Sequence, residues 1–167
     1  PWPWALHVMG LAALMTLWAV RYAALDGEDR RRAAYATLSA LSLIALAVFV
    51  LLSDAALTVA LSALVAVAAG LDRRFRLPEM GWFILAGIAA LGWRLTVAPG
   101  LPAYLIEAPL VEAVLAFGAA LLGLGTARAL LPPGREAVRA AIESAALAVA
   151  AVFASVLAWR GIDGLSI

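Results

Sequence analysis

The chain has 167 residues, 66% of them hydrophobic and 14% charged, against about half apolar and a quarter charged in an ordinary soluble domain. Its charge sums to +1 and it contains no Cys, Lys, Asn or Gln and a single histidine, His7. That excludes a soluble globular domain, a basic field for nucleic acid, disulfides, thiol or Schiff-base chemistry and any Cys/His zinc cluster.

Crossing a bilayer core takes ~20 helical residues, and the chain offers six such stretches. The first is predicted over 4–25. It has neither the basic start nor the small-residue cleavage site of a secretory signal, so it reads as a true span. The run from Ala33 to Leu71 holds no charge except Asp54. As one helix it would be roughly 58 Å long, about twice the bilayer. It must fold back at Ser53 and Asp54, both residue types that cap helix starts, which gives spans 34–52 and 55–71, the latter near the lower length limit. Pro78 and Glu79 open the fourth span, 79–98; Pro109 opens the fifth, 109–131; and Pro132, Pro133 and Gly134 separate it from the sixth, 136–159. A start at Pro rather than Met implies a piece of something longer.

Orientation follows from the arginines. The turns after spans one, three and five hold Arg21, Arg30, Arg31, Arg32, Arg73, Arg74, Arg76, Arg128, Arg135 and Arg139, and the opposite side holds Arg94 and Arg160. That asymmetry predicts that the first side is cytoplasmic and that both termini are periplasmic. Spans four and six both end in Trp-Arg, at Trp93-Arg94 and Trp159-Arg160. Such anchors suit any membrane helix, so they are a weak sign of duplication.

Chemistry inside a membrane needs ionisable groups at depth. Near the span midpoints only Glu143 qualifies, one turn from Arg139 and able to pair with it. The expectation is a satisfied interfacial pair, with a proton or cation site as the alternative. His7, among small residues near the outer end of span one, could ligate a haem or pigment metal; interfacial hydrogen bonding is the favoured reading, because no second ligand accompanies it. The outer ends gather His7, Asp54, Arg94, Tyr104, Glu107, Glu112, Arg160 and Asp163. Glu112 suits a helix N-terminus, and Arg94 with Glu112 is the preferred contact, with Glu107 as the alternative. These residues are either separate caps and anchors or the lining of an outward-facing pocket. No serine has nucleophile-elbow context.

Small residues in rows let helices approach closely. Ala119, Gly123 and Ala127 form such a row in span five, and Ala146, Ala150, Ala154 and Ala158 another in span six. Gly123 is predicted to touch a neighbouring backbone, and Ala116, on another face, to tolerate leucine.

The succession SDAALTVALSALVAVAAGLDRRFRLP, WRLTVAPGL, PLVEAVLAFGAALLGLGTARALL and IESAALAVAAVFASVLAWRGIDG, over residues 40–167, resembles the bacterial polytopic membrane proteins grouped as domain of unknown function 2339. Those are longer chains, so the resemblance implies a segment, and it brings no activity to transfer. The sequence therefore predicts an all-α, six-span bundle in a bacterial inner membrane, in contact with lipid and with other subunits or the rest of its own chain, needing no cofactor and binding no nucleic acid. A non-catalytic scaffold or accessory module is the expected role. A transporter or envelope-substrate handler using the outer polar cluster is the alternative, and pigment or haem binding through His7 the third.

Overall fold

The computed structural model describes residues 2–25, 27, 30–52, 54–98 and 100–163, apart from the side chains of 54, 162 and 163. The described chain is all-helical: α1 (Trp2–Leu25), α2 (Arg31–Leu51), α3 (Asp54–Phe75), α4 (Met80–Thr96), a π-helical segment at Ala103–Glu107, α5 (Leu110–Leu130) and α6 (Glu136–Asp163). Five of these helices are long and apolar enough to cross a membrane. The exception is α4 with 17 residues, ~25 Å at the helical rise.

The short helix is thus α4 and not α3, where the sequence pattern puts it. Helix α3 runs through Asp72, Arg73 and Arg74 to Phe75, because its terminal charges find partners there. Helix α4 stops at Thr96, ahead of the Pro99-Gly100 pair in the sequence: a residue that precedes proline is disfavoured in the helical region, and Gly100 takes φ +89°. The α2–α3 break falls where the length argument requires it: Leu52 is extended and α3 starts at Asp54.

Helix α3 is the hub, packed against α2, α4 and α5, while α6 leans on α5 and α4. Its inner stripe is Thr58, Ser62, Val65, Ala69 and Asp72, at the three- and four-residue steps of a single helix face. Opposite it, α5 buries Ala113, Ala116, Ala120, Gly123 and Ala127. At Gly123 the two helices approach closely: a Cβ there would stand 2.7 Å from both the Cβ and the carbonyl oxygen of Ser62. The close-packed row is phased differently from the expected one, since Ala119 is only half-buried and Ala116, expected on another face, is completely buried. Ala116 belongs to a second apolar cluster with Tyr104, Phe117, Leu95 and Val156.

Helix α1 touches α2 and no other described element. Its three buried residues, Ala5, Ala12 and Ala19, are therefore buried by α2, which buries Ala33, Ala40 and Ala47 at the same seven-residue spacing. An antiparallel register setting Ala5 by Ala47, Ala12 by Ala40 and Ala19 by Ala33 satisfies both rows at once, and small side chains at such a seam permit close approach.

Candidate functional site

The polar side chains collect at the two ends of the bundle. At the first end, three turns meet. Arg30 Nη1, ahead of α2, donates to the carbonyl of Phe75 at the end of α3 (3.2 Å). Arg73 Nη1 donates to the carbonyl of Ala129 at the end of α5 (3.3 Å). Arg135, between α5 and α6, grips Asp72 of α3 with two bonds, Nε to Oδ2 at 2.9 Å and Nη2 to Oδ1 at 3.1 Å. The basic turns that the arginine count assigns to one side thus lie together, bonded to one another.

Asp72 is the functional group that sequence reasoning overlooks. Its carboxylate is fully buried near the C-terminal, electronegative end of α3, where a carboxylate is unfavourable without a cation. A lone acid at that place in an apolar helix is the signal that a partner is required. The bond from Asp72 also holds the Arg135 guanidinium above its ordinary pKa, against the opposing effect of partial burial.

Glu143 pairs with Arg128 across the α5–α6 hairpin (2.6 Å), not with Arg139. The physical reason is geometric: an arginine four residues N-terminal to a glutamate is the poorer orientation of a helical pair, whereas Arg128 approaches from the facing helix. The Nε of Arg139 is buried without a hydrogen-bond partner.

At the opposite end, Arg160 at the end of α6 spans the π-helical segment, its Nε donating to the carbonyl of Tyr104 (2.8 Å) and its Nη2 to that of Ala108. Tyr104 is buried, its ring edge-on to Phe117 at 5.3 Å, and Phe117 stacks on Phe153 at 5.3 Å. Arg94 Nη1 donates to the carbonyl of Ala98, in the turn just past the end of its own helix (3.0 Å). Glu107 is exposed at the end of the π-helical segment and Glu112 half-buried in the first turn of α5, a helix that meets α4 only sparsely. The side chains of Asp54 and Asp163 lie outside the described residues.

His7 is exposed, with its Nδ1 2.6 Å from the carbonyl of Pro3 and its ring tilted against Trp4. Among the described residues no group of three or more His, Cys, Asp or Glu is placed to hold a metal ion.

The arrangement has one recurring chemistry. Arg30, Arg73, Arg94 and Arg160 each donate to a carbonyl at or near a helix end, where carbonyls lack intrahelical donors and the helix dipole is negative. Compared with known protein families, curated proteins and solved structures, the chain matches none.

Proposed function

We propose that this chain is a non-catalytic, membrane-embedded module of a larger bacterial inner-membrane protein or complex, with six spans and its basic turns in the cytoplasm. The observation that carries this reading is the use made of the polar groups: arginines at both ends bind helix-end carbonyls or carboxylates of the same chain, which is how a structural bundle fastens its turns. Of the two arginines that an outer transport site would draw on, Arg160 donates to Tyr104 and Ala108 and Arg94 to Ala98. The likeness of residues 40–167 to domain of unknown function 2339 belongs to the same reading and rests on the segments quoted above.

A module of this kind presents helices to its neighbours. Helix α1 is the face best suited, since one described helix alone covers it and Leu6, Leu17 and Leu25 stand more than 65% exposed. A photo-crosslinking residue at each of these positions, in native membranes, should give a discrete protein adduct of constant mass. Leu122 of α5 and Leu147 of α6, also largely exposed, serve as comparison sites expected to label lipid. Lipid adducts alone at all five positions would overturn the scaffold reading.

A further inference from the structure

Two cavities meet at the joint between the α1–α2 hairpin and the rest of the bundle. The first, of about 380 Å³, is an apolar groove between α1, α2 and the end of α3, lined among others by Ala19, Val20, Thr37, Ile44 and Phe75. Its hydroxyls are spent on their own helices, Thr16 donating to Ala12 and Thr37 to Ala33, both at 2.8 Å. An occupant of this groove gains nothing by being polar. The second, of about 700 Å³, is a basic pocket that, among the described residues, holds Arg30, Arg31, Arg74 and Arg76 and the carboxylate of Glu79. The two share Arg30, Phe75 and Leu77, so the apolar groove ends where the basic pocket begins.

The basic pocket is built into the backbone. Arg76 has φ +55°, a left-handed conformation for which glycine is the default, and its N–H donates to the main-chain carbonyl of Asp72 at 2.8 Å in closing α3. An arginine kept in a strained helix-terminating position is a hypothesis of function. Arg74 stacks over the Phe75 ring, 5.7 Å from its centroid, and Arg30 is bonded to the Phe75 carbonyl, so Phe75, one of the three residues common to both cavities, also organises two of the four guanidinium groups. The adjoining loop adds Asp26, Glu28 and Asp29, which lie outside the described residues. Counting them, the first and third turns still carry more arginine than acid: Arg21, Arg30, Arg31, Arg32, Arg73, Arg74 and Arg76 against Asp26, Glu28, Asp29, Asp72 and Glu79, and Asp72 is already taken by Arg135.

We infer that this composite cavity binds an anionic phospholipid from the leaflet on the arginine-rich side, one acyl chain lying in the α1–α2–α3 groove and the phosphate among Arg30, Arg74 and Arg76. Only a molecule joining an apolar tail to an anionic head fits both compartments, and basic pockets between membrane helices are the usual seats of such headgroups. The lipid bridges a hairpin that, among the described residues, otherwise meets the rest of the bundle through α2 and the Arg30–Phe75 bond, so its binding fastens α1 and α2 to α3.

The test uses the purified chain, delipidated in a neutral detergent and titrated with phosphatidylglycerol or phosphatidylcholine in mixed micelles, read by thermal unfolding and by lipid retention in native mass spectrometry. Phosphatidylglycerol should raise the melting temperature in a concentration-dependent, salt-sensitive way, and phosphatidylcholine should not. Removing two charges together, Arg30→Gln and Arg76→Gln, should weaken apparent binding by about 30-fold. Filling the groove with Thr37→Leu, which leaves every charge in place, should weaken it as well and guards against a charge variant that fails to fold. Arg128→Gln, whose partner is Glu143, should leave binding unchanged. Equal responses to the two lipids, full reproduction of the effect by glycerol phosphate without a tail, or unchanged binding in both the double-charge and groove variants would overturn the assignment.

Discussion

Alanine at position 123 should destabilise the bundle even though alanine is the better helix former. In an unconstrained helix Gly→Ala is favourable by about 0.8–1 kcal/mol. At Gly123 the new Cβ would stand 2.7 Å from Ser62 Cβ, 2.7 Å from Ser62 O and 3.0 Å from Ser62 C. Two of these three atoms are backbone, so no rotamer change relieves the clash and α3 and α5 must move apart. Ala120 and Ala127, on the same buried row, then lose contact too. Overpacking of this kind costs about 1–3 kcal/mol, so the net expectation is a loss of up to about 2 kcal/mol. Gly118 and Gly125 lie on the same helix, where an added Cβ would meet no atom within 4 Å, and alanine there should be neutral or mildly stabilising. Ser62→Gly removes only the Cβ of the clash, so added to Gly123→Ala it should rescue part of the loss, with coupling of about 0.5 kcal/mol or more. Thermal or denaturant unfolding in detergent measures all of these variants. A Gly123→Ala variant as stable as Gly118→Ala would refute the α3–α5 contact.

Arg135→Ala leaves the buried Asp72 carboxylate uncompensated and should cost about 3–5 kcal/mol, while replacing both residues by leucine should recover most of it; unfolding midpoints decide. Arg160→Ala removes two charge-assisted bonds to the π-helical segment, worth about 1.5–3 kcal/mol each at most, and should speed hydrogen exchange at residues 101–108 with little change in α3. The proposed contact of Arg94 with Glu112 or Glu107 is checked by double-mutant cycles with alanine, where coupling of about 0.5–3 kcal/mol is expected for the touching pair and additive losses for both would dismiss it. For threading, single cysteines at Ala98 and Pro133, both exposed, should be labelled by an impermeant reagent from the periplasm at Ala98 only; Ala33, the obvious choice from sequence, is 3% exposed and would stay silent whichever side it faced.

Helix positions are legible in the sequence because hydropathy, proline and the length of a bilayer crossing are local properties of the chain. Which face of each helix turns inward is not. In a soluble helix the buried stripe is marked by hydrophobicity, but here both faces are apolar and only residue size distinguishes them. The row Ala119, Gly123, Ala127 follows a strict four-residue step, whereas the buried set Ala113, Ala116, Ala120, Gly123, Ala127 alternates steps of three and four. That alternation tracks a packed seam, and a constant step drifts off it. The same blindness misassigns Glu143: its neighbour along α6 is visible in the sequence, while Arg128 is brought to it only by the α5–α6 hairpin. The π-helical segment at Ala103–Glu107 leaves no signal beyond its flanking prolines.

The bundle is fastened unequally along its length, and the inequality follows from where polar bonds are spent. Helices α3, α5 and α6 are joined by Asp72–Arg135, Arg73–Ala129 and Arg128–Glu143 in addition to their packing. The described polar side chains of α1 with hydrogen bonds, His7 and Thr16, bond to carbonyls of α1 itself. Alanine-to-alanine approach along one neighbour is what holds this helix, and dispersion between small side chains contributes only while the surfaces stay in contact. Such a seam can slide or open at less cost than one pinned by a buried carboxylate. The apolar groove and its arginines lie at the end of this weakly held hairpin, where an occupant reaching from α1 to α3 would alter its attachment most. On the lipid assignment proposed above, an occupant of the groove strengthens that joint, whereas the α3–α5 seam carries its own constraints in Gly123 and Asp72.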